Sequence, residues 1–171
     1  MNSRRDDAVG LPLEAASFRY ILGHFATGVT VMTTTLGGRM HGMTVGAFAS
    51  VSLEPLLILV SVEKTALMHR LVLESRAFAV NILGEQSEVT SRFFADNARL
   101  SGPEFLEGAY RLGETGSPLL SEATGYLEAT VHSTHDAGDH TIIVGKVVAF
   151  EIVSENEPLI YYRSGYRQLR G

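Results

Sequence analysis

The sequence predicts a mainly β protein, an antiparallel barrel with a few flanking helices, and three observations support that expectation. Segments of strand character outnumber helical ones by roughly two to one, and Gly-bearing hairpin turns punctuate them. Residues 77–83 alternate strictly, with Phe78, Val80 and Ile82 on one face. Most informative is the stretch 42–61, GMTVGAFASVSLEPLLILVS, where small and hydroxyl-bearing residues crowd a region in which a buried core would want bulk. Thr44, Gly46, Ala47, Ala49, Ser50 and Ser52 offer hydroxyls and approachable backbone groups, the inventory for gripping a flat heteroaromatic ligand by its edge. Phe48 is the lone large apolar residue among them.

The elements follow in chain order. A helix is expected to start near residues 12–14, with Phe18, Leu22 and Phe25 at helical spacing and Gly28 past its end. The β-branched run 29–35 reads as a strand, and Leu36-Gly37-Gly38-Arg39 as the hairpin turn into 40–44. Pro55 closes the small-residue stretch, and the apolar run 56–60 opens a strand, 56–62, expected to be buried on both faces. Lys64 and Thr65 then precede a short helix carrying Leu67, Leu71 and Val72. After the 77–83 strand a further helix is expected over about 85–94. Residues 95–118, with Pro103 and Pro118, read as one long irregular segment, a length more often functional than idle. Strands at 125–133, 141–153 and 159–163 close the chain. At ~100–200 residues per domain, the chain is expected to form a single domain over 1–171, with 1–12 as a flexible tail.

Composition narrows the function. With 45% hydrophobic and 19% charged residues the chain has the makings of a globular core and is not a disordered one. A net charge of −5 without a dense Lys/Arg cluster argues against nucleic acid or anionic membrane as partner. No apolar run reaches the ~18–20 residues of a bilayer span, and MNSRRDDAVG lacks the apolar region of a signal peptide, so the expected location is cytoplasmic. The absence of cysteine excludes disulfides, thiolate-bound zinc, iron–sulfur clusters and thiol redox chemistry. Electron transfer would then use an organic cofactor or a metal held by His and carboxylates.

Three further constellations carry chemistry. HSTHDAGDH gathers His132, His135, Asp136, Asp139 and His140, but with His132 at a strand end and His135 in a turn it lacks the one-face spacing of a helical zinc motif, and no metal site is expected. A solvated hairpin tip accounts for the same residues, although Asp139-His140 in a turn can also present an imidazole at the mouth of the sheet, to guide a hydride donor or shuttle a proton. Ser61, Lys64 and Thr65 combine hydroxyls and an ammonium at a helix start, which suits either a phosphate or an ordinary N-cap. Residues 161–167, YYRSGYR, concentrate aromatic and guanidinium groups that stack on flat rings and pair with phosphates, or else anchor an interface. Neither G-x-x-x-x-G-K-[ST] nor G-x-G-x-x-G occurs.

Taken together, FATGVTVMTT, MTVGAFASVSLEPLLILVS, SRAFAVNIL with Gln86 shortly after, AGDHTIIVGKV and PLIYYRSGYR make the chain resemble the short-chain flavin reductases, from about Phe18 to Leu169. These are the NAD(P)H:flavin oxidoreductase components of two-component flavin-dependent monooxygenases. The resemblance implies a split β-barrel of Greek-key, FMN-binding type, assembled as a homodimer. It implies that Thr44, Ala47, Phe48, Ser50 and Val51 line the flavin ring and that Ser61, Lys64 and Thr65 meet its phosphate. His140 would stand over the nicotinamide as the catalytic residue, with Tyr166 and Arg167 closing the pocket. Relatives carry Asn or Ser where this chain has Gly46, so a side-chain bond to the ring is lost there and backbone contact would replace it. The implied reaction uses NADH, with NADPH as the alternative, to reduce FAD or FMN, which is released to a separate monooxygenase. Cofactors carry such chemistry and the protein aligns two rings, which accounts for the lack of a catalytic triad. A flavin-holding carrier or redox sensor, and a His/Asp metalloenzyme, are the competing readings.

Overall fold

The computed structural model describes residues 11–97, 105 and 108–169. Along the chain run α1 (Ala15–Leu22), β1 (Thr27–Gly28), β2 (Thr30–Leu36), β3 (Arg39–Val45), β4 (Phe48–Leu53), β5 (Leu56–Glu63), α2 (Leu67–Ser75), β6 (Ala77–Leu83) and α3 (Glu88–Ala95). Then follow β7 (Tyr110–Leu112), β8 (Pro118–Leu120), β9 (Ala123–Ala137), β10 (His140–Ile152), β11 (Ile160–Tyr162) and β12 (Gly165–Arg167). Seven strands form one antiparallel sheet in the order β3-β2-β6-β9-β10-β5-β4. Its two edge strands, β3 and β4, are consecutive in the chain and joined only by Gly46 and Ala47. The sheet therefore curls into a barrel that stays split at this seam.

Alternation along the strands builds two cores. Met32, Val60, Val62, Phe78, Val80 and Ile143 point into the barrel, where α2 contributes Met68 and Val72. On the other face Val31 and Leu83 pack with Phe94 of α3 and Leu120 of β8. Three threonines of β2 are buried because each finds an acceptor: Thr30 Oγ1 donates to Val45 O at 2.7 Å, Thr33 Oγ1 to Pro118 O at 2.6 Å and Thr34 Oγ1 to Ala77 O at 2.7 Å. Asn81 is fully buried, and its Nδ2 donates to Val31 O while its Oδ1 accepts from Leu120 N–H at 2.8 Å, docking β8 onto the sheet.

Several expectations hold. Leu36 pairs with Arg39 across Gly37 and Gly38, whose φ of 58° and 83° mark the two-residue hairpin turn. The helix after Lys64 and Thr65 and the strand at 77–83 also stand as expected. Others are corrected. The first helix stops at Leu22 rather than passing Phe25, because the chain turns at Gly23 and Thr27 and Gly28 pair with Tyr161 and Ile160. The third begins at Glu88 because Glu85 N–H is engaged by Glu157 O at 2.8 Å. Strand β5 is not buried on both faces: Ile58, Val60 and Val62 are buried, while Leu57, Leu59 and Ser61 are only half-buried.

Strand β9 runs on to Ala137, so His135 lies in a strand opposite Ile142 and not in a turn. His132 is the extra residue of a bulge, since Ser133 pairs with Val144 and Val131 with Gly145. The segment expected to be irregular ends in the β7–β8 hairpin, and residues 98–104, 106 and 107 of it lie outside the described residues, as do residues 1–10 of the expected tail. The last strand is a hairpin, β11–β12, whose turn residues Arg163 and Ser164 have φ of 50° and 58°. Among the described residues no helix is long and apolar enough to cross a membrane.

Candidate functional site

The seam between the sheet edges opens into a cleft of about 830 Å³. Gly46, Ala47, Phe48 and Ala49 form one wall, and Leu22 of α1, Phe25, Tyr161 and Ser164 also line the cleft. The small residues here are not imposed by packing. A Cβ on Gly46 would meet only Thr27 Oγ1 at 3.5 Å, and one on Gly28 would meet nothing within 4 Å. At Gly42 and Gly145, by contrast, a Cβ would lie 2.6 Å and 2.5 Å from the rings of Phe94 and Phe78. Gly42 and Gly145 thus let the core close, whereas Gly28 and Gly46 leave the seam open.

A smaller hollow of about 180 Å³ adjoins the cleft, lined by Thr44, Gly46, Ser91, Tyr161 and Tyr166 among others. Thr44 Oγ1 donates to Ser91 O at 2.7 Å, and the Ser91 and Tyr166 hydroxyls are 2.8 Å apart. The Arg92 guanidinium lies 4.8 Å from the centre of the Tyr166 ring, against whose edge Tyr161 packs at 5.3 Å. Arg167 is exposed and donates from Nη1 to Tyr166 O at 2.7 Å. Sequence reasoning missed Ser91 and Arg92. Their signal was a seryl group on the buried Ser87, Ser91, Phe94 face of α3, and a Glu88–Arg92 pair at helical spacing.

The third group sits where β5 meets the β9–β10 hairpin. Ser61 N–H donates to Ala47 O at 3.1 Å, which ties it to the cleft wall. Two residues on, about 7 Å along a strand, Glu63 pairs with His140. Lys64 Nζ is bonded to the Asp136 carboxylate and, at 2.6 Å, to Gly138 O, and its N–H donates to Asp139 O. Thr65 Oγ1 donates to Glu63 Oε1 at 2.8 Å, and His140 Nδ1 is 2.8 Å from Asp139 Oδ1. Hydrogen bonding from Lys64 holds the Asp136 carboxyl below its usual range, and His140 does the same for Asp139.

The residues singled out from the sequence therefore fall into three neighbouring sets: Ala47 and Phe48 on the cleft, Thr44 and Tyr166 on the hollow beside it, and Ser61, Lys64, Thr65 and His140 at the hairpin tip. Ser50 and Val51 are exposed on edge strand β4, where Val51 is the bulge residue between Ser50 and Ser52, and neither is among the residues lining the cleft. The histidines and carboxylates of 132–140 do not converge: among the described residues no group of three or more such side chains is placed to hold a metal.

Residues 22–170 match the flavin reductase like domain model. An NADH-dependent FAD reductase of Streptomyces globisporus is 36% identical over 159 residues, covering 92% of this chain and 87% of that protein. The reductase subunit HsaB of a flavin-dependent monooxygenase from Rhodococcus jostii is 33% identical, covering 90% and 77%. Among solved structures, the Streptomyces globisporus NADH:FAD oxidoreductase SgcE6 in complex with NAD and FAD fragments superposes with a TM-score of 0.87 at 33% identity, covering 95% of this chain and 97% of that one.

Proposed function

This chain belongs to the flavin reductase like family, and from that premise we propose how its own residues serve the reduction of flavin by NADH. The observation that carries the reading is the cleft wall at Gly46–Ala49, whose small residues leave room that neither the core nor backbone conformation requires. FAD is the preferred flavin, FMN the alternative, and the reduced product passes to a separate monooxygenase. When bound, the flavin supplies a ring that accepts a hydride from the reduced nicotinamide. The residues present fit it: a flat apolar slot, backbone groups along one wall and a cation at a strand end.

Thr44, Ala47 and Phe48 hold the ring edge, mostly through backbone N–H and C=O groups, and the apolar walls exclude water, while Ser50 and Val51 lie beyond the cleft on β4. Ser61, Lys64 and Thr65 bind the flavin phosphate, for which Lys64 and Thr65 exchange their present carboxylate partners Asp136 and Glu63. With Nδ1 held by Asp139, His140 offers its Nε2 to the nicotinamide. Tyr166, fixed by Ser91, closes the pocket together with Arg167. The exposed Phe18, Ile21 and Leu22 of α1 and Phe150 and Ile152 of β10 provide the apolar contact of a homodimer, and residues 1–171 act as one domain. Purified protein with NADH and FAD or FMN is expected to consume NADH far faster than a protein-free control. A bound yellow cofactor that NADH cannot bleach, with no acceleration by either flavin, would sink the reading in favour of a carrier.

A further inference from the structure

Beside the cleft and its smaller neighbour lies a third depression, of about 290 Å³, lined by Arg92, Ala95, Asp96, Tyr161, Ser164 and Tyr166. It shares Tyr161 and Ser164 with the cleft, and Ala95, Tyr161 and Tyr166 with the smaller hollow. The three are one trough, apolar at the seam and polar at the α3 end. We infer that Arg92 and the depression it walls form the subsite for the diphosphate of the reduced nicotinamide dinucleotide. This rests on the reductase reading above.

The argument is one of charge and reach. A donor whose ring lies against the flavin in the cleft must lay its diphosphate along the trough, and a chain of net charge −5 offers that anion no general attraction. It needs a local cation. Lys64 is not among the residues lining the trough and lies at the β5–β10 junction, where the flavin phosphate is assigned, while Arg19 lines the apolar cleft rather than the depression. Arg92 is in the trough and is held ready: its Nε donates to Glu88 Oε1 at 2.8 Å, and its plane lies over a Tyr166 ring whose hydroxyl meets the buried Ser91. Another of its nitrogens, Nη2, lies 2.7 Å from the same Glu88 oxygen, so the pairing engages one flank of a fork that carries five N–H donors. Ser164, a non-glycine residue held at φ 58°, lines both the cleft and the depression. Glu88 and Asp96 are the carboxylates within this end of the trough, and they keep the subsite from being a strong general anion trap.

The test compares two donors with FAD as acceptor: NADH, and 1-benzyl-1,4-dihydronicotinamide, which has the reacting ring and no phosphate. Arg92→Gln is expected to lower kcat/KM for NADH about tenfold relative to that for the phosphate-free donor, through KM, as the loss of one charge-assisted contact at an exposed site implies. Arg92→Lys should recover part of the difference, since it keeps the charge and loses the fork. Equal losses with both donors would show that Arg92 acts through Tyr166 or the flavin and would overturn the assignment, as would no loss with either. A wild-type protein that oxidises neither donor would instead bring down the reductase reading on which the subsite depends.

Discussion

Replacing Glu128 by Gln isolates what one buried carboxylate contributes to the fold that carries the site. Glu128 is 2% exposed in the middle of β9, between Ala79 and Ala149. Its Oε1 accepts Glu114 N–H at 3.0 Å, and its Oε2 accepts Thr115 N–H at 2.8 Å and Thr115 Oγ1–H at 2.7 Å. Gly113 completes the turn, because a Cβ there would fall 2.3 Å from Oε1. Gln has the same shape but only one acceptor oxygen. Placed at the Oε2 position it keeps two bonds and sets its NH2 against Glu114 N–H, donor facing donor. An unmade bond of this kind costs about 1–3 kcal/mol, and because Glu114 is exposed and Thr115 half-buried, water recovers part of it, which points to about 1–2 kcal/mol. At roughly 2–4 °C per kcal/mol for a chain of this size, the midpoint should fall by about 2–8 °C in a thermal melt followed by circular dichroism. Gly113→Ala should produce a comparable fall from the other side of the same contact. A melting midpoint for Glu128→Gln within about 1 °C of wild type would refute the reasoning, since it would mean that the carboxylate does not hold the turn.

Two further outcomes concern the site. Lys64→Ala is expected to raise the Kd for FMN about tenfold while leaving that for riboflavin, which lacks the phosphate, unchanged. Its melting midpoint should stay close to that of wild type, because the pair with Asp136 is solvent-exposed; titration showing the same Kd for FMN in variant and wild type would remove Lys64 from the phosphate site. His140→Ala should lower kcat by about tenfold or more with flavin affinity within about twofold, and an undiminished kcat in steady-state assays would strike His140 from the chemistry.

What could be read from the chain, and what could not, divides along physical lines. The β2–β3 hairpin was legible because Gly37 and Gly38 both adopt the positive φ that the turn needs. The cleft wall at Gly46 was legible because its small residues are visible as composition, and a Cβ built there meets only Thr27 Oγ1 at 3.5 Å, whereas Gly42 in the same stretch is small because Phe94 leaves it no room. Hidden were contacts whose partners are distant: Lys64 meets a carboxylate 72 residues away, and β8 is recruited by Asn81 from 39 residues before Leu120. Strands β7 and β8, three residues each, are too short for a period to register. Arg92 was missed because its spacing from Glu88 is that of an ordinary intrahelical pair, and only the tertiary fold lays it over Tyr166. Phe18 and Leu22 recur at helical spacing in α1, yet none of its residues is buried, since periodicity reports that a face seeks cover and not what supplies it.

Strand β10 runs beside β5 from the His140–Glu63 pair to the Lys146–Leu57 pair, so the imidazole and the phosphate-side residues are fastened to the same set of backbone rungs. The spacing between them behaves as a ruler cut into the main chain. Exchanging side chains at 61, 64 or 140 can retune what is gripped while the gauge stays constant. Deleting a single residue from the hairpin between β9 and β10 and so slipping the register by one step would turn His140 to the opposite surface of the sheet, a change that no compensating side chain nearby could reverse.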